Sequence, residues 1–302
     1  FRSFGGSGCL APPRDPAMVD FNAVKAIVQD PEKLKAWALA HQDALKAWGG
    51  LCFGVIVVFW FFSDGDFSFL LTLASLISMF GFLMVAVKVS SSKSCKGVSL
   101  IMSEAYVVVS VCRLCSIIPY EGYLPYDKSG DWLYQTVEAV TFCLAGSIVY
   151  LIRVQFAETY DPTLDTFKRV YLFPPALVLA VLFHPSLNAF MPADICWTFA
   201  LYLESITVLP QLVLFQKAAE VEDFTVHFLA GQALSKLLSF LFWVSSFTEL
   251  NDDSSHLKSY VGYWVIIMQL LQLVIMGDFI YQYIRCLSKG VSVSNILSSE
   301  MV

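Results

Sequence analysis

Apolar segments of membrane-crossing length recur along this chain, and they constrain its fold more than any other feature. They cover about residues 67–89, 99–118, 132–153, 170–184, 194–215, 226–247 and 261–284. A helix needs about 20 residues to cross a bilayer, so the segment at 170–184 is the weakest of the series. The 57% hydrophobic and 15% charged composition supports an all-α polytopic membrane protein over a large soluble domain.

The N-terminal part of the chain has a different composition. Residues 1–19 are rich in Gly and Pro, and we expect a disordered region or a fragment of another segment there. Residues 20–48 alternate apolar and charged positions at helical spacing, which predicts cytosolic or interfacial amphipathic helices. Residues 49–66 supply an extra hydrophobic membrane segment, residues 67–290 a seven-helix bundle, and residues 291–302 a cytosolic tail.

The distribution of lysines and arginines predicts the orientation of the bundle. If the N-terminus is cytosolic, all 19 of them lie on the cytosolic side except Lys128, Lys258, Arg113 and Lys236. The positive-inside rule therefore predicts that both termini are cytosolic.

Two cations lie inside apolar segments, and Arg113 in "VVVSVCRLCSII" is the first of them. An arginine at the bilayer centre costs about 2.5–3.5 kcal/mol, so its side chain should face a partner or a ligand. Helical spacing places Tyr106, Ser110 and Ser116 on its face of the helix and Glu104 on the opposite face. Glu104 is therefore not its expected partner.

The second intramembrane cation is Lys236, which shares a helix face with Trp243. Trp197 and Glu204 are seven residues apart on another segment, with Glu204 at a depth similar to that of Lys236. Three further groups lie within the apolar segments: Glu138 near the level of Arg113, Ser235 beside Lys236, and Asp278 in the last segment.

Three interpretations of these charges remain open. Arg113–Glu138 and Lys236–Glu204 could be internal ion pairs without a ligand. They could also line a cavity for a small anionic ligand such as a peptide carboxylate, since charge-assisted hydrogen bonds strengthen away from water. The third interpretation is a site for a transported solute.

Other chemistries have no support in the sequence. We find no nucleophile–base–acid set and no metal-binding motif, so we expect a non-enzymatic protein without cofactor or metal. A net charge of −6 gives no reason to expect nucleic-acid binding.

A weak internal repeat accompanies the two cations. Each cation-bearing segment follows a basic turn and begins at a hydroxyl residue, Ser99 or Thr225. This pattern predicts two three-helix repeats joined by a linker helix, which is a parallel repeat of the SWEET and PQ-loop kind.

Several stretches resemble one known family, the ER lumen protein retaining receptors, which retrieve proteins ending in Lys/His-Asp-Glu-Leu from the Golgi. They are "SCKGVSL", "CRLCS", "TYDPTLDTF", "CWTFALYLESITVLPQL", "FTVHF" and "GDFIYQY", spread over residues 67–290. The extra N-terminal segment and "VLFHPS" are similar to the longer, plant-type branch of the family.

The resemblance implies a cavity that binds a C-terminal tetrapeptide from the lumen. Arg113, Trp197 and Glu204 fall on cavity positions of the family, whereas Lys236 stands in place of an arginine and Asp194 in place of a glutamate. The resulting ligand-binding set is Arg113, Lys236, Asp194, Trp197, Glu204 and Trp243, with polar support from Glu138, Asp278, Ser116 and Ser235. Leu71 and Ser78 stand where the family has an arginine and a pH-sensing histidine.

These features predict a receptor of the ER and Golgi membranes for luminal proteins with acidic C-terminal retention signals. Membrane lipids and the vesicle coat machinery would be its other partners. Two alternatives remain: a SWEET-like or PQ-loop-like transporter of a small solute, and a divergent receptor-like protein without this cargo.

Overall fold

The computed structural model describes residues 30–40, 69–120, 131–185, 190–218, 221–247 and 260–289, with single positions between 42 and 57. The predicted regions 1–19 and 291–302 lie outside these residues, as does most of the predicted extra segment at 49–66. Helix α1, Pro31–Ala40, begins where the sequence has its proline, and the Asp30 carboxylate accepts a hydrogen bond from the Glu32 amide at 3.1 Å.

The rest of the described chain is a helical bundle. Its helices are α2 (Phe69–Ser92), α3 (Leu100–Tyr120), α4 (Asp131–Tyr150, continued by a π turn at Leu151–Gln155), α5 (Phe173–Leu182), α6 (Met191–Ile206), α7 (Leu209–Lys217), α8 (Asp223–Ser245) and α9 (Val261–Lys289). Short 3₁₀ turns at Ala157–Thr159 and Arg169–Tyr171 precede α5.

Six of the described helical stretches are long and apolar enough to cross a membrane, and α6 and α7 together form one of them. The stretch Arg169–Leu182 is apolar but shorter, in agreement with the weak signal at 170–184. The prediction of an all-α polytopic membrane protein is confirmed.

The packing of the helices has the symmetry expected of two three-helix repeats. In the first repeat α4 packs against both α2 and α3, and in the second α9 packs against both α6 and α8. The repeats meet through α2 with α8 and through α3 with α6, which are equivalent pairs under exchange of the repeats. Helix α5 links the two units and packs on α6. Arg113 on α3 and Lys236 on α8 therefore occupy corresponding helices.

The interface between α2 and α8 depends on a glycine and on buried polar side chains. A Cβ at Gly81 would lie 3.0 Å from Phe228 Cδ2, so a larger residue there would have to push the Phe228 ring aside. Beside it Ser78 Oγ donates to Gln232 Oε1 at 3.0 Å, and Ser235 Oγ donates to the Ala74 carbonyl at 2.7 Å. Hydrogen bonds of this kind satisfy polar groups that lipid could not.

One end of the bundle, formed by residues 93–99, 156–172 and Lys217, is called the basic end here because Lys93, Lys96, Lys168, Arg169 and Lys217 lie in it. Asp165 caps the start of α3 at this end, since its carboxylate accepts hydrogen bonds from Ser99 Oγ at 3.0 Å and from the Ile101 amide at 3.3 Å. Tyr160 OH donates to the same carboxylate at 2.8 Å, and burial together with this hydrogen bond raises the pKa of Tyr160.

The turn before α3 is held from the other repeat as well. Gln211 of α7 accepts a hydrogen bond from the Ser99 amide at 2.9 Å and donates to the Gly97 carbonyl at 2.6 Å. Gly97 has a φ of +78°, a conformation that favours glycine. The stretches "SCKGVSL", "TYDPTLDTF" and "LPQL" therefore meet in one clamp that closes the basic end.

Candidate functional site

A polar cavity lies among α2, α3, α4, α6 and α8, on the side of Tyr106 that faces away from the basic end. Its floor is aromatic: the Phe82 ring lies 4.7 Å from that of Tyr106 and 5.4 Å from that of Phe228, between ring centroids. The described residues that line it are Leu71, Ala74, Ser75, Ser78, Tyr106, Val109, Ser110, Arg113, Tyr134, Glu138, Thr141, Trp197, Leu201, Glu204, Ser235, Lys236, Ser239 and Trp243.

Four charged side chains form a single network in this cavity. Arg113 Nη1 donates to Glu138 Oε1 at 2.8 Å, and Arg113 Nη2 donates to Glu204 Oε2. Lys236 Nζ donates to the other oxygen of the same carboxylate, Glu204 Oε1. Both predicted ion pairs are present, and Glu204 joins them because it bridges the two cations.

Neighbouring groups fix the members of this network in place. Ser75 Oγ donates to Glu138 Oε1 at 3.2 Å, and Gln272 Nε2 of α9 donates to the Glu204 backbone carbonyl at 3.2 Å. Lys236 Nζ lies 5.7 Å from the centroid of the Tyr106 ring, within range of a cation–π interaction.

The two predicted tryptophans form one wall of the cavity. The rings of Trp197 and Trp243 meet edge to face with centroids 5.4 Å apart, and both side chains are buried. The volume of the cavity is about 30 Å³, which is room for one or two water molecules. The four charged side chains of the network all line this space.

The structure brings together seven of the ten predicted site residues: Arg113, Lys236, Trp197, Glu204, Trp243, Glu138 and Ser235 line the cavity. Asp194 and Ser116 are buried, yet neither is among the described lining residues. Asp278 is exposed on α9 and also lies outside this lining. Functional roles for all ten remain predictions.

Sequence reasoning missed three of the polar lining residues, namely Ser75, Tyr134 and Thr141. Tyr134 and Thr141 lie four residues before and three residues after Glu138, so the helical spacing used for Arg113 would have identified them. Ser75 lies three residues before Ser78, so the same spacing would have placed it on the helix face of Ser78.

Glu104 lies apart from this network, as its position on the opposite face of α3 predicts. Its carboxylate accepts hydrogen bonds from Arg153 Nη2 and from Arg169 Nε, the latter at 2.7 Å. This hydrogen bond raises the pKa of Arg169. In the part of the chain that the structure describes, no three His, Cys, Asp or Glu side chains are grouped so that they could hold a metal ion.

The fold and the site define a polytopic membrane protein with a charged, tryptophan-walled cavity that is closed toward its basic end.

A family model for the ER lumen protein retaining receptor matches residues 94–246. An ER lumen protein-retaining receptor of Plasmodium falciparum is 34% identical over 212 residues, which are 69% of this chain and 86% of the relative. Mouse ER lumen protein-retaining receptor 3 is 30% identical over 225 residues, or 74% of this chain and 95% of the relative. The corresponding Drosophila melanogaster receptor is 30% identical over 213 residues, covering 70% and 91%. The chain belongs to the ER lumen protein retaining receptor family.

Proposed function

We propose that this protein binds the C-terminal carboxylate of luminal proteins in its cavity and retrieves them to the endoplasmic reticulum. The observation that carries the proposal is the placement of Arg113 and Lys236 in a tryptophan-walled cavity of a receptor-family chain. Arg113 is 12% exposed and Lys236 is 5% exposed at the side chain, so a carboxylate reaching them would be largely removed from water. Charge-assisted hydrogen bonds are strongest under these conditions.

The peptide carboxylate would compete with Glu204 for the two cations. Glu204 is the natural group to exchange, because one carboxylate of similar shape can take its place between Arg113 and Lys236. Trp197 and Trp243 would then pack against the apolar last residue of the tail. Binding in this mode would separate the ion pairs that Glu204 makes with Arg113 and Lys236.

The basic end would face the cytosol in this function, and the cavity would open to the lumen. The positive-inside rule supports this orientation, with both termini cytosolic and the protein in ER and Golgi membranes. Luminal proteins with acidic C-terminal signals would be its cargo, membrane lipids would surround it, and vesicle coat machinery would act at the cytosolic side.

The packing below the cavity argues against a solute transporter. A transporter needs a polar path through the bundle, whereas Phe82, Tyr106 and Phe228 pack together beneath the charged network. The clamp formed by Asp165 and Gln211 closes the basic end below them. Asp278, which would have to extend such a path, is exposed outside the cavity lining.

Peptide binding to the purified full chain in detergent tests the proposal. A peptide ending in His-Asp-Glu-Leu should bind as the free acid and lose at least about tenfold in affinity as the C-terminal amide. Arg113→Ala should remove this difference, and Lys236→Ala should reduce it. Arg153→Ala is the matched control, because Arg153 is exposed in the π turn next to the basic end and its partner Glu104 keeps Arg169.

The same titrations at about pH 5.5 and about pH 7.2 show whether release depends on protonation near the reference pKa of histidine. Equal affinity of the acid and the amide, or of wild type and Arg113→Ala, would refute the proposed function.

A further inference from the structure

A groove on the outer surface of the bundle runs between α2 and α4. Its volume is about 920 Å³, which is near the upper end of the range of about 300–1,000 Å³ that small-molecule sites occupy. None of the residues that line it is among the described residues that line the charged cavity. The groove is therefore a second and separate candidate site.

The groove opens toward the lipid of the membrane. Both of its walls belong to stretches that are long and apolar enough to cross a bilayer, Leu70–Ser92 and Trp132–Gln155. The side chains of Val87 and Tyr150, which line opposite walls, are exposed on the outside of the bundle. Because lipid molecules surround the outer faces of spanning helices, the ligand that meets this groove is a lipid.

The lining of the groove changes from apolar to polar along its length. Both α2 and α4 run toward the basic end of the bundle. The apolar side chains of Val87 and Leu144 line the part that is farther from this end, and Ser90, Ser91 and Tyr150 line the part that is nearer to it. A phospholipid has the same order, since its acyl chains lie deep in the membrane and its headgroup lies at the interface.

Two hydroxyls in the polar part of the groove are available to a headgroup. Ser91 Oγ and Ser147 Oγ donate to backbone carbonyls of their own helices, at 3.0 Å and 2.7 Å. The hydroxyls of Ser90 and Tyr150, in contrast, make no hydrogen bond within the described part of the chain. Both can donate to the phosphate or ester oxygens of a lipid.

The charge around the polar part of the groove favours an anionic headgroup. The basic end carries five lysines and arginines against three acidic side chains. Lys93, which is exposed, follows Ser91 by two residues, and the exposed Arg153 follows Tyr150 by three residues. Cations placed next to the ends of membrane-spanning helices attract the anionic lipids of the adjacent leaflet.

We propose that the groove between α2 and α4 binds one anionic glycerophospholipid. One acyl chain lies between the two helices against Val87 and Leu144, and the headgroup accepts hydrogen bonds from Ser90 and Tyr150. In the orientation given under the proposed function, this lipid comes from the cytosolic leaflet. The inference goes beyond the proposed function, because the lipid site lies outside the cavity and does not depend on the cargo.

Native mass spectrometry of the purified full chain in detergent tests the proposal. The probes are dioleoyl phosphatidylserine and dioleoyl phosphatidylcholine, which have the same acyl chains and differ in the net charge of the headgroup. Wild type should retain one phosphatidylserine per chain, with an affinity at least about fivefold higher than for phosphatidylcholine.

Two variants test the location of the site. Gly146 lines the groove and has nothing within 4 Å of a Cβ built at its position, so the side chain of Gly146→Leu has room to fill the groove. Phosphatidylserine affinity should fall at least about tenfold in this variant. Gly277→Leu is the matched control, because Gly277 is also a half-buried helical glycine with nothing within 4 Å of its Cβ and it does not line the groove. Tyr150→Phe keeps the aromatic ring and should lower the affinity about fivefold through the loss of one hydrogen bond.

Equal affinities of wild type for the two lipids would overturn the proposal. Wild-type affinity for phosphatidylserine in both Gly146→Leu and Tyr150→Phe would do the same, since the lipid would then bind elsewhere. A wild-type dimer that becomes a monomer in Gly146→Leu while the lipid affinity stays the same would assign the groove to a second copy of the chain, and the lipid site would again be refuted.

Discussion

Removing the charge of Glu204 should destabilise the protein strongly. In Glu204→Gln the carboxylate that bridges Arg113 and Lys236 becomes neutral, while Glu138 still pairs with Arg113. Lys236, whose side chain is 5% exposed, then has no anion within its ion-pair contacts in the described chain. Breaking a buried ion pair by removing one partner costs about 3–5 kcal/mol of stability. Because the glutamine oxygen still accepts one hydrogen bond, we expect the free energy of unfolding to fall by about 3 kcal/mol.

Thermal unfolding of the purified protein in detergent measures this loss. Each kcal/mol of lost stability lowers the unfolding midpoint of a chain of a few hundred residues by roughly 2–4 °C, so the midpoint should fall by about 6–12 °C. The double variant Glu204→Gln with Lys236→Met removes both charges and should recover most of the loss, with a coupling energy of at least about 2 kcal/mol. A midpoint within about 1 °C of wild type for Glu204→Gln, or no recovery in the double variant, would refute the bridging role.

Three further measurements test the architecture around the site. Asp165→Asn should lower the free energy of unfolding by about 2–3 kcal/mol, because it weakens the cap of α3. Asp161→Asn in the same "TYDPTLDTF" stretch should lower it by less than about 0.5 kcal/mol, since Asp161 is exposed. Urea or thermal unfolding of the two variants measures the difference. Gly81→Ala should lower the unfolding midpoint, because the added Cβ would lie 3.0 Å from a Phe228 ring carbon. Gly146→Ala should not lower it, because nothing lies within 4 Å of a Cβ at that position. Equal midpoints for the two variants would contradict the close approach of α2 and α8. Epitope tags fused to both termini should be removed by protease added to sealed, cytosol-side-out ER vesicles, and protection of either tag would contradict the predicted orientation.

Much of the fold follows from local properties of the sequence. The apolar segments end within a few residues of the observed helices, because runs of lipid-compatible residues and polar turns determine where a membrane helix begins and ends. The helical period alone placed Arg113 toward Tyr106 and Ser110 and away from Glu104, and the observed ion pairs agree.

The connection of the two ion pairs into one network did not follow from the sequence. Depth estimates counted from segment ends place residues to within about a helical turn, or roughly 5 Å. An arginine side chain reaches across that distance, so Arg113 could contact Glu204 as well as Glu138. Ser116 was a candidate because it shares a helix face with Arg113, and Asp194 because of the family resemblance, yet neither is among the described lining residues.

The stretches that carry the family resemblance divide into two groups with different consequences. "SCKGVSL", "TYDPTLDTF" and "LPQL" supply Ser99, Asp165 and Gln211, whose hydrogen bonds close the basic end. None of the hydrogen bonds described for these three residues reaches the charged network. The second group, "CRLCS" and the first part of "CWTFALYLESITVLPQL", supplies Arg113, Trp197 and Glu204, which line the cavity. The shared stretches therefore account both for the closed end and for part of the charged site.

In the proposed function, ligand choice would depend on a few side chains in the cavity, where single substitutions change the net charge at a distance from the clamp. Leu71 brings no charge to the lining, whereas Glu138 brings a negative one. A chain can thus keep the closed, two-repeat bundle of the family while substitutions in the cavity change the charge that a ligand meets.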